Sequence, residues 1–204
     1  MMDKTIEITS KINGIIFDNT PKYIKLAKIL KLVVDYCGID QKKYFLIGSY
    51  ALRLDRTIND LDVMMDWDEF EKLRLFPLGI IQPYNNQTRW FLDLTHEYNK
   101  VDPEANDFSI EIFKKYPDVG FPTDDFSLNK LLSSGLDTDQ FGHMYFNLKS
   151  LLAWKKTMNR PKDQEDIMLI EKKLTELKGG NDSYYHKYIK YKTKYLKLKK
   201  SKNN

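Results

Sequence analysis

The stretch FLIGSYALRLDRTINDLDVMMD, residues 45–66, sets a Gly48-Ser49 pair after one apolar run and an Asp60-Leu61-Asp62 triplet at the head of another, with ten residues between Ser49 and Asp60. On an extended strand, side chains at i and i+2 leave by the same face, so Asp60 and Asp62 project together while Leu61 and Val63 face the other way. Two adjacent carboxylates repel unless a cation lies between them. Hard oxygen donors of this kind suit Mg²⁺ or Mn²⁺, and Mg²⁺ in particular prefers one or two carboxylates completed by substrate phosphates. Gly48 lets backbone approach a ligand closely, and Ser49, at the start of a helical turn, offers a hydroxyl and free N–H groups to a phosphate. The competing reading is a solvated edge strand with two surface aspartates.

The elements that must position these residues follow from periodicity and punctuation. Residues 5–17, TIEITSKINGIIF, alternate loosely about Asn13-Gly14, which predicts a hairpin. Thr20 as N-cap, Pro21 at the first helical position, Ile24, Ala27, Leu30 and Val34 at helical spacing, and Gly38 as terminator predict a helix between them. Tyr44 to Ile47 reads as a short buried strand running into Gly48-Ser49, and Leu61 to Met65 as a second. Asp66 is placed to cap a short helix through Leu73. Thr88 to Thr95 and Phe108 to Phe113 are further strands. Asn147 to Met158 and Pro161 to Leu177 are helical, separated by Asn159-Arg160-Pro161, and Gly179-Gly180 ends the second.

Composition bounds the rest. The 204 residues, 42% hydrophobic, suffice for one real core with a small appendage. From Asn181 onward there are eight lysines and one aspartate, a charge of +7, which leaves −3 for residues 1–180 out of a total of +4. Attraction to polyanions therefore belongs to the tail, and the folded part is mildly acidic. Cys37 is the single cysteine, and MMDKTIEITSK has neither an apolar leader core nor a cleavage site. The expectation is a cytoplasmic protein with no membrane partner. His96, His143 and His186 lack ligand spacing for zinc, and Trp67, Trp90 and Trp154 read as core or interface residues.

Ile47-Gly48-Ser49, ten residues, then Asp60-Leu61-Asp62-Val63 resembles the signature of the nucleotidyltransferase superfamily that includes DNA polymerase beta. The resemblance implies an α/β (α+β) fold, a nucleotidyltransferase-like mixed sheet with flanking helices. The expected arrangement is a catalytic core over 1–116, a helical subdomain over 117–178 and a basic tail over 179–204. It also implies a third carboxylate on a later strand, for which Glu111 in FSIEIF is the choice and Asp93 in WFLDL the rival. Asp60 and Asp62 would then hold two Mg²⁺ ions, with Glu111 on one of them beside the acceptor hydroxyl. Ser49 would position the triphosphate of a bound NTP. The implied reaction transfers an NMP to an acceptor hydroxyl, an RNA or tRNA 3′ end being favoured, with release of pyrophosphate. The alternative is a catalytically inactive nucleotide- or RNA-binding protein of the same fold.

A second resemblance lies in residues 146–167. Some bacterial members of the superfamily, toxin-like and antibiotic-modifying ones among them, follow a helical lysine with an Arg-x-Lys-Asp-x-x-Asp turn. The corresponding residues are Lys149, then Arg160, Lys162, Asp163 and Asp166. Lys149 or Lys162 would bind the triphosphate; equally, Asp163 and Asp166 suit the first turn of a helix through its dipole. In the tail, Tyr184, Tyr188, Tyr191, Tyr195 and Leu198 form a heptad stripe among lysines. It resembles a Tyr/Lys element on proteins of amoeba-infecting giant viruses of the mimivirus group, which implies a host-cytoplasmic setting. Docking helix, RNA contact and frayed solvated helix are its three readings.

Overall fold

The computed structural model describes residues 2–53, 57–84, 87–105, 107–114 and 135–177. At the N-terminus Ile8, Ile12 and Ile16 recur at four-residue steps, and all three are buried. A helical face collects such a stripe and a strand does not. The segment is accordingly one helix, α1 (Met2–Ile16), and the expected hairpin about Asn13-Gly14 is absent. Gly14 sits on the exposed face, where its lack of a side chain is tolerated.

Helix α2 (Lys22–Cys37) ends as the sequence predicts, on Gly38 in the left-handed conformation at φ 64°. Its start differs. Pro21, and not Thr20, occupies the N-cap, because the Thr20 N–H and hydroxyl are both spent on the Asp18 carboxylate. Lys28 closes on the same carboxylate at 2.6 Å. The Lys28 and Thr20 hydrogen bonds together hold the Asp18 carboxyl down to about 2. Lys25, almost wholly buried, donates its ammonium to the Ile16 carbonyl at 2.6 Å, so a residue of α2 satisfies the open end of α1.

Seven strands form one mixed sheet: β1 (Tyr44–Leu46), β2 (Asp60–Met65), β3 (Ile80–Tyr84), β4 (Gln87–Asp93), β5 (Ser109–Lys114), β6 (Leu136–Thr138) and β7 (Met144–Phe146), in the order β3-β4-β5-β2-β1-β7-β6. The β2–β5 and β1–β7 pairs are parallel and the others antiparallel. Short helices α3 (Trp67–Lys72) and α4 (Thr95–Tyr98) lie between strands. With helices flanking a mixed sheet, the α/β (α+β) expectation holds. Register puts Tyr44, Leu46, Leu61, Val63, Met65, Trp90, Leu92, Ile110 and Ile112 on one face, and these join Ile12, Leu26, Leu30 and Val33 of α1 and α2 in the core. Each such side chain contributes about 1.5–3 kcal/mol on burial.

Two compact units divide between Leu151 and Leu152. Strands β6 and β7 extend the sheet beyond the expected core boundary at 116, so the segment 117–178 is not wholly helical. It contains α5 (Leu148–Met158) and a second helix, α6, over 164–177. The tail over 179–204 with its Tyr/Lys stripe lies outside the described residues, as does Gly179-Gly180.

The hairpin of β6 and β7 is tied to α2 by His143, which is wholly buried. Its Nε2 faces the Ala27 carbonyl at 3.0 Å and its Nδ1 faces the Tyr44 hydroxyl at 2.6 Å. A carbonyl only accepts, so Nε2 carries the proton and Tyr44 donates to Nδ1. Burial pushes the His143 pKa down, outweighing the attraction of Asp139. Below about pH 6.5 the unfolded chain therefore takes up a proton that the folded chain refuses. Stability, measured by urea denaturation, is expected to fall as pH drops from 7 to 5, and a His143→Gln variant should lose that dependence. Tyr44→Phe should cost about 1–3 kcal/mol by leaving Nδ1 without a donor.

Candidate active site

At the end of β1 the Ile47 N–H still bonds the Asp62 carbonyl at 2.9 Å. The chain then turns at Gly48, whose φ is +65°. A Cβ at Gly48 would lie 2.6 Å from Asp62 Oδ2. The carboxylate of Asp62 thus lies over the glycine backbone, and the two halves of the motif meet. Ser49 precedes a single 3-10 turn, Tyr50–Leu52, so it opens a turn and not a full helix. The helix-dipole contribution expected at Ser49 is correspondingly small.

Asp60 is exposed and Asp62 half-buried, both on the sheet face opposite the core. Register places Glu111 directly beside Asp62, on the adjacent parallel strand, and Ser109 beside Asp60. Asp93 pairs with Ser109 on the far side of β5, one strand further from the aspartate pair. Neighbouring strands are about 4.8 Å apart, so Glu111 is the nearer of the two acids by roughly that spacing. Asp93 also accepts the Thr95 N–H at 2.9 Å. Strand β4 ends at Asp93, two residues before the expected Thr95.

Sequence reasoning missed Arg89. Its Nη1 meets Glu111 Oε2 at 2.7 Å, with the two side chains 17% and 18% exposed, and its guanidinium lies 4.8 Å from the Phe91 ring centre. Arg89 pairs with Phe113 in register, which makes it the diagonal neighbour of Glu111. The antiparallel register that brings them together is not visible in one dimension.

Among the described residues no cluster of three or more His, Cys, Asp or Glu side chains converges as a metal site would. The donor chemistry of Asp60 and Asp62 fits a hard divalent cation, and the absence of a side chain at Gly48 is what lets the Asp62 carboxylate sit against the turn. The Ser109 hydroxyl, beside Asp60, is buried without a hydrogen-bond partner. Glu111 fits as a third donor only with its Arg89 pair opened.

Of the second motif, Arg160, Lys162, Asp163 and Asp166 lie within the unit that begins at Leu152, whereas Lys149 belongs to the first unit. Asn159, at φ 46°, breaks α5, Arg160 caps the next turn and Pro161 starts it. Lys155, another residue missed from sequence, reaches Asp163 at 3.1 Å and Asp166 at 2.7 Å, and Arg160 forks onto Asp163 at 2.6 and 3.0 Å. Lys155, Asp163 and Asp166 are 4%, 1% and 2% exposed. Burial opposes the charge on Asp163, but the Arg160 and Lys155 hydrogen bonds prevail and hold its carboxyl below the usual range. The two aspartates are thereby engaged in joining two helices. Lys149 and Lys162 are exposed and make no hydrogen bond or ion pair with a described residue.

Gly48→Ala is expected to cost about 1–2 kcal/mol from the left-handed backbone alone, and to displace the Asp62 carboxylate. Urea denaturation reads the first effect. Lys155→Ala would leave two buried carboxylates without their cation and should cost about 3–5 kcal/mol by the same measurement. No family model, curated protein or solved structure matches this chain.

Proposed function

We propose that the protein is a nucleotidyltransferase that moves an NMP from an NTP to an acceptor hydroxyl, an RNA or tRNA 3′ end being favoured. The observation that carries this reading is the placement of the Asp62 carboxylate over the Gly48 backbone. The two halves of the motif, with ten residues between Ser49 and Asp60, thus touch through Asp62 and Gly48. Asp60 and Asp62 would hold Mg²⁺ or Mn²⁺, which when bound neutralises phosphate charge and acidifies the acceptor hydroxyl. Gly48 would give its backbone to the triphosphate on the side away from the Asp62 carboxylate, and Ser49 would contribute a hydroxyl. The acceptor oxygen bonds to the α-phosphorus, the bond to the β-phosphate breaks, and pyrophosphate leaves with the electron pair. The acceptor proton passes to a site carboxylate, Glu111 being the neighbour of Asp62. Arg89, ion-paired to Glu111, would on release of that pair meet the charge that develops on phosphate.

One observation favours a second reading, a nucleotide- or RNA-binding protein without turnover: the Arg89–Glu111 ion pair occupies the third carboxylate. Either activity suits a cytoplasmic setting, supported by the lone Cys37, whose buried thiol is pushed up to about 11. No helix among the described residues is long and apolar enough to cross a membrane.

Incubation of the protein with each α-labelled NTP, Mg²⁺ or Mn²⁺ and total RNA should place label in an RNase-sensitive band. Asp62→Ala should lower transfer by about 100-fold or more, as loss of a group acting in the transition state does. Full activity in that variant would overturn the assignment. Metal-dependent NTP binding with no transfer to RNA, protein or small-molecule acceptors would select the second reading.

A further inference from the structure

We propose that the cavity beside the 50–53 turn is a binding site for a single phosphate group carried on a small organic molecule, with Arg53 as its receptor. The cavity measures about 220 Å³ and lies between that turn, Tyr23 of α2 and the connection from β6 to β7. Neither Asp60 nor Asp62 lines it. The inference is therefore independent of the nucleotidyl-transfer reading.

Arg53 is held in place before any ligand arrives. Its guanidinium carbon lies 4.7 Å from the Tyr50 ring centre and 4.5 Å from that of Tyr145, so two aromatic faces hold the cation. Nη1 donates to the Tyr50 carbonyl at 3.2 Å and Nη2 to the Tyr145 hydroxyl at 3.3 Å. A guanidinium has five N–H groups, so three have no acceptor among the described residues, and no carboxylate there forms an ion pair with it. A rigid fork with spare donors matches the geometry of phosphate oxygens.

Asp139 shares the cavity, and its oxygens are already employed. Oδ1 accepts the N–H groups of Phe141 and His143 at 2.8 and 2.9 Å, and Oδ2 accepts the Tyr50 hydroxyl at 2.7 Å. These bonds orient the Tyr50 ring on which Arg53 rests. Burial and the Asp139 bond push the Tyr50 hydroxyl well above its usual pKa, so it stays a donor. The charge of Asp139 offsets that of Arg53, which suits one phosphate and disfavours a polyphosphate chain. Thr138 and Gln140 leave polar side chains at the rim, and Tyr23 and Phe141 supply aromatic wall for the group that carries the phosphate.

Calorimetric titration of the full chain with inorganic phosphate and with 5′-AMP, at low salt and without divalent cations, tests the site. Both probes should bind, AMP more tightly, and binding should weaken with salt. Arg53→Gln should weaken AMP binding about tenfold or more in a chain that circular dichroism shows to be folded. Arg53→Lys, which keeps the charge and loses the fork, should weaken it less; it decides the matter should the Gln variant fail to fold. Asp62→Asn should leave binding unchanged. Failure of the native chain to bind either probe at millimolar concentration would overturn the proposal, as would native affinity in both Arg53 variants. Loss of binding in Asp62→Asn would also overturn it, by moving the phosphate to the Gly48 loop.

Discussion

Leu61, Val63 and Met65 are buried against the helical side of the sheet, and successive side chains on a strand leave by opposite faces. Burial of those three therefore commits Asp60 and Asp62 to the other face. A slip of one residue in the register of β2 would bury both carboxylates and expose the core residues, an exchange costing many kcal/mol. The same alternation on β5 buries Ile110 and Ile112 and turns Glu111 outward beside Asp62. The hydrophobic core is thus what aims the acids. Their positions follow from packing, with no need for contacts among the acids themselves.

The molecule handles its charges in two ways. Around Lys155 a cation and two carboxylates are nearly fully buried, and Arg160 reinforces one of them. Such a cluster is worth little net stability against an apolar packing of the same volume, yet it is costly to break, because any survivor is left buried and uncompensated. It fixes a junction between two helices. On the sheet the arrangement is more open. Arg89 and Glu111 keep some access to solvent, and Asp60 is exposed. Water can replace a departing partner there, so charges at this surface can exchange partners at modest cost.

Much of the candidate site was legible because its signals are local. The i, i+2 aspartates, the glycine that permits a left-handed turn and the apolar flanks each rest on residues within a few positions of one another. Gly38 as the terminator of α2 and Asn159 as the break after α5 were legible for the same reason. Asn13-Gly14 is a local turn signal, but the four-residue isoleucine spacing decides for helix because α2 is there to bury it. Thr20 looked like a cap until Asp18 claimed both its donors. Strands β6 and β7 are three residues each, too short for periodicity to speak.

By itself the sequence determined which residues have a chemistry to offer, and that Asp60 and Asp62 share a face, because that follows from bond geometry within one strand. Tertiary structure alone decided who meets them. Glu111 is 49 positions from Asp62 and Arg89 is 22 from Glu111, and only strand order and register make them neighbours. The same holds for Arg53 against Tyr145 and for His143 between Tyr44 and Ala27. Side-chain pairing across strands depends on the energy of the whole packed sheet, which no window of neighbouring residues contains.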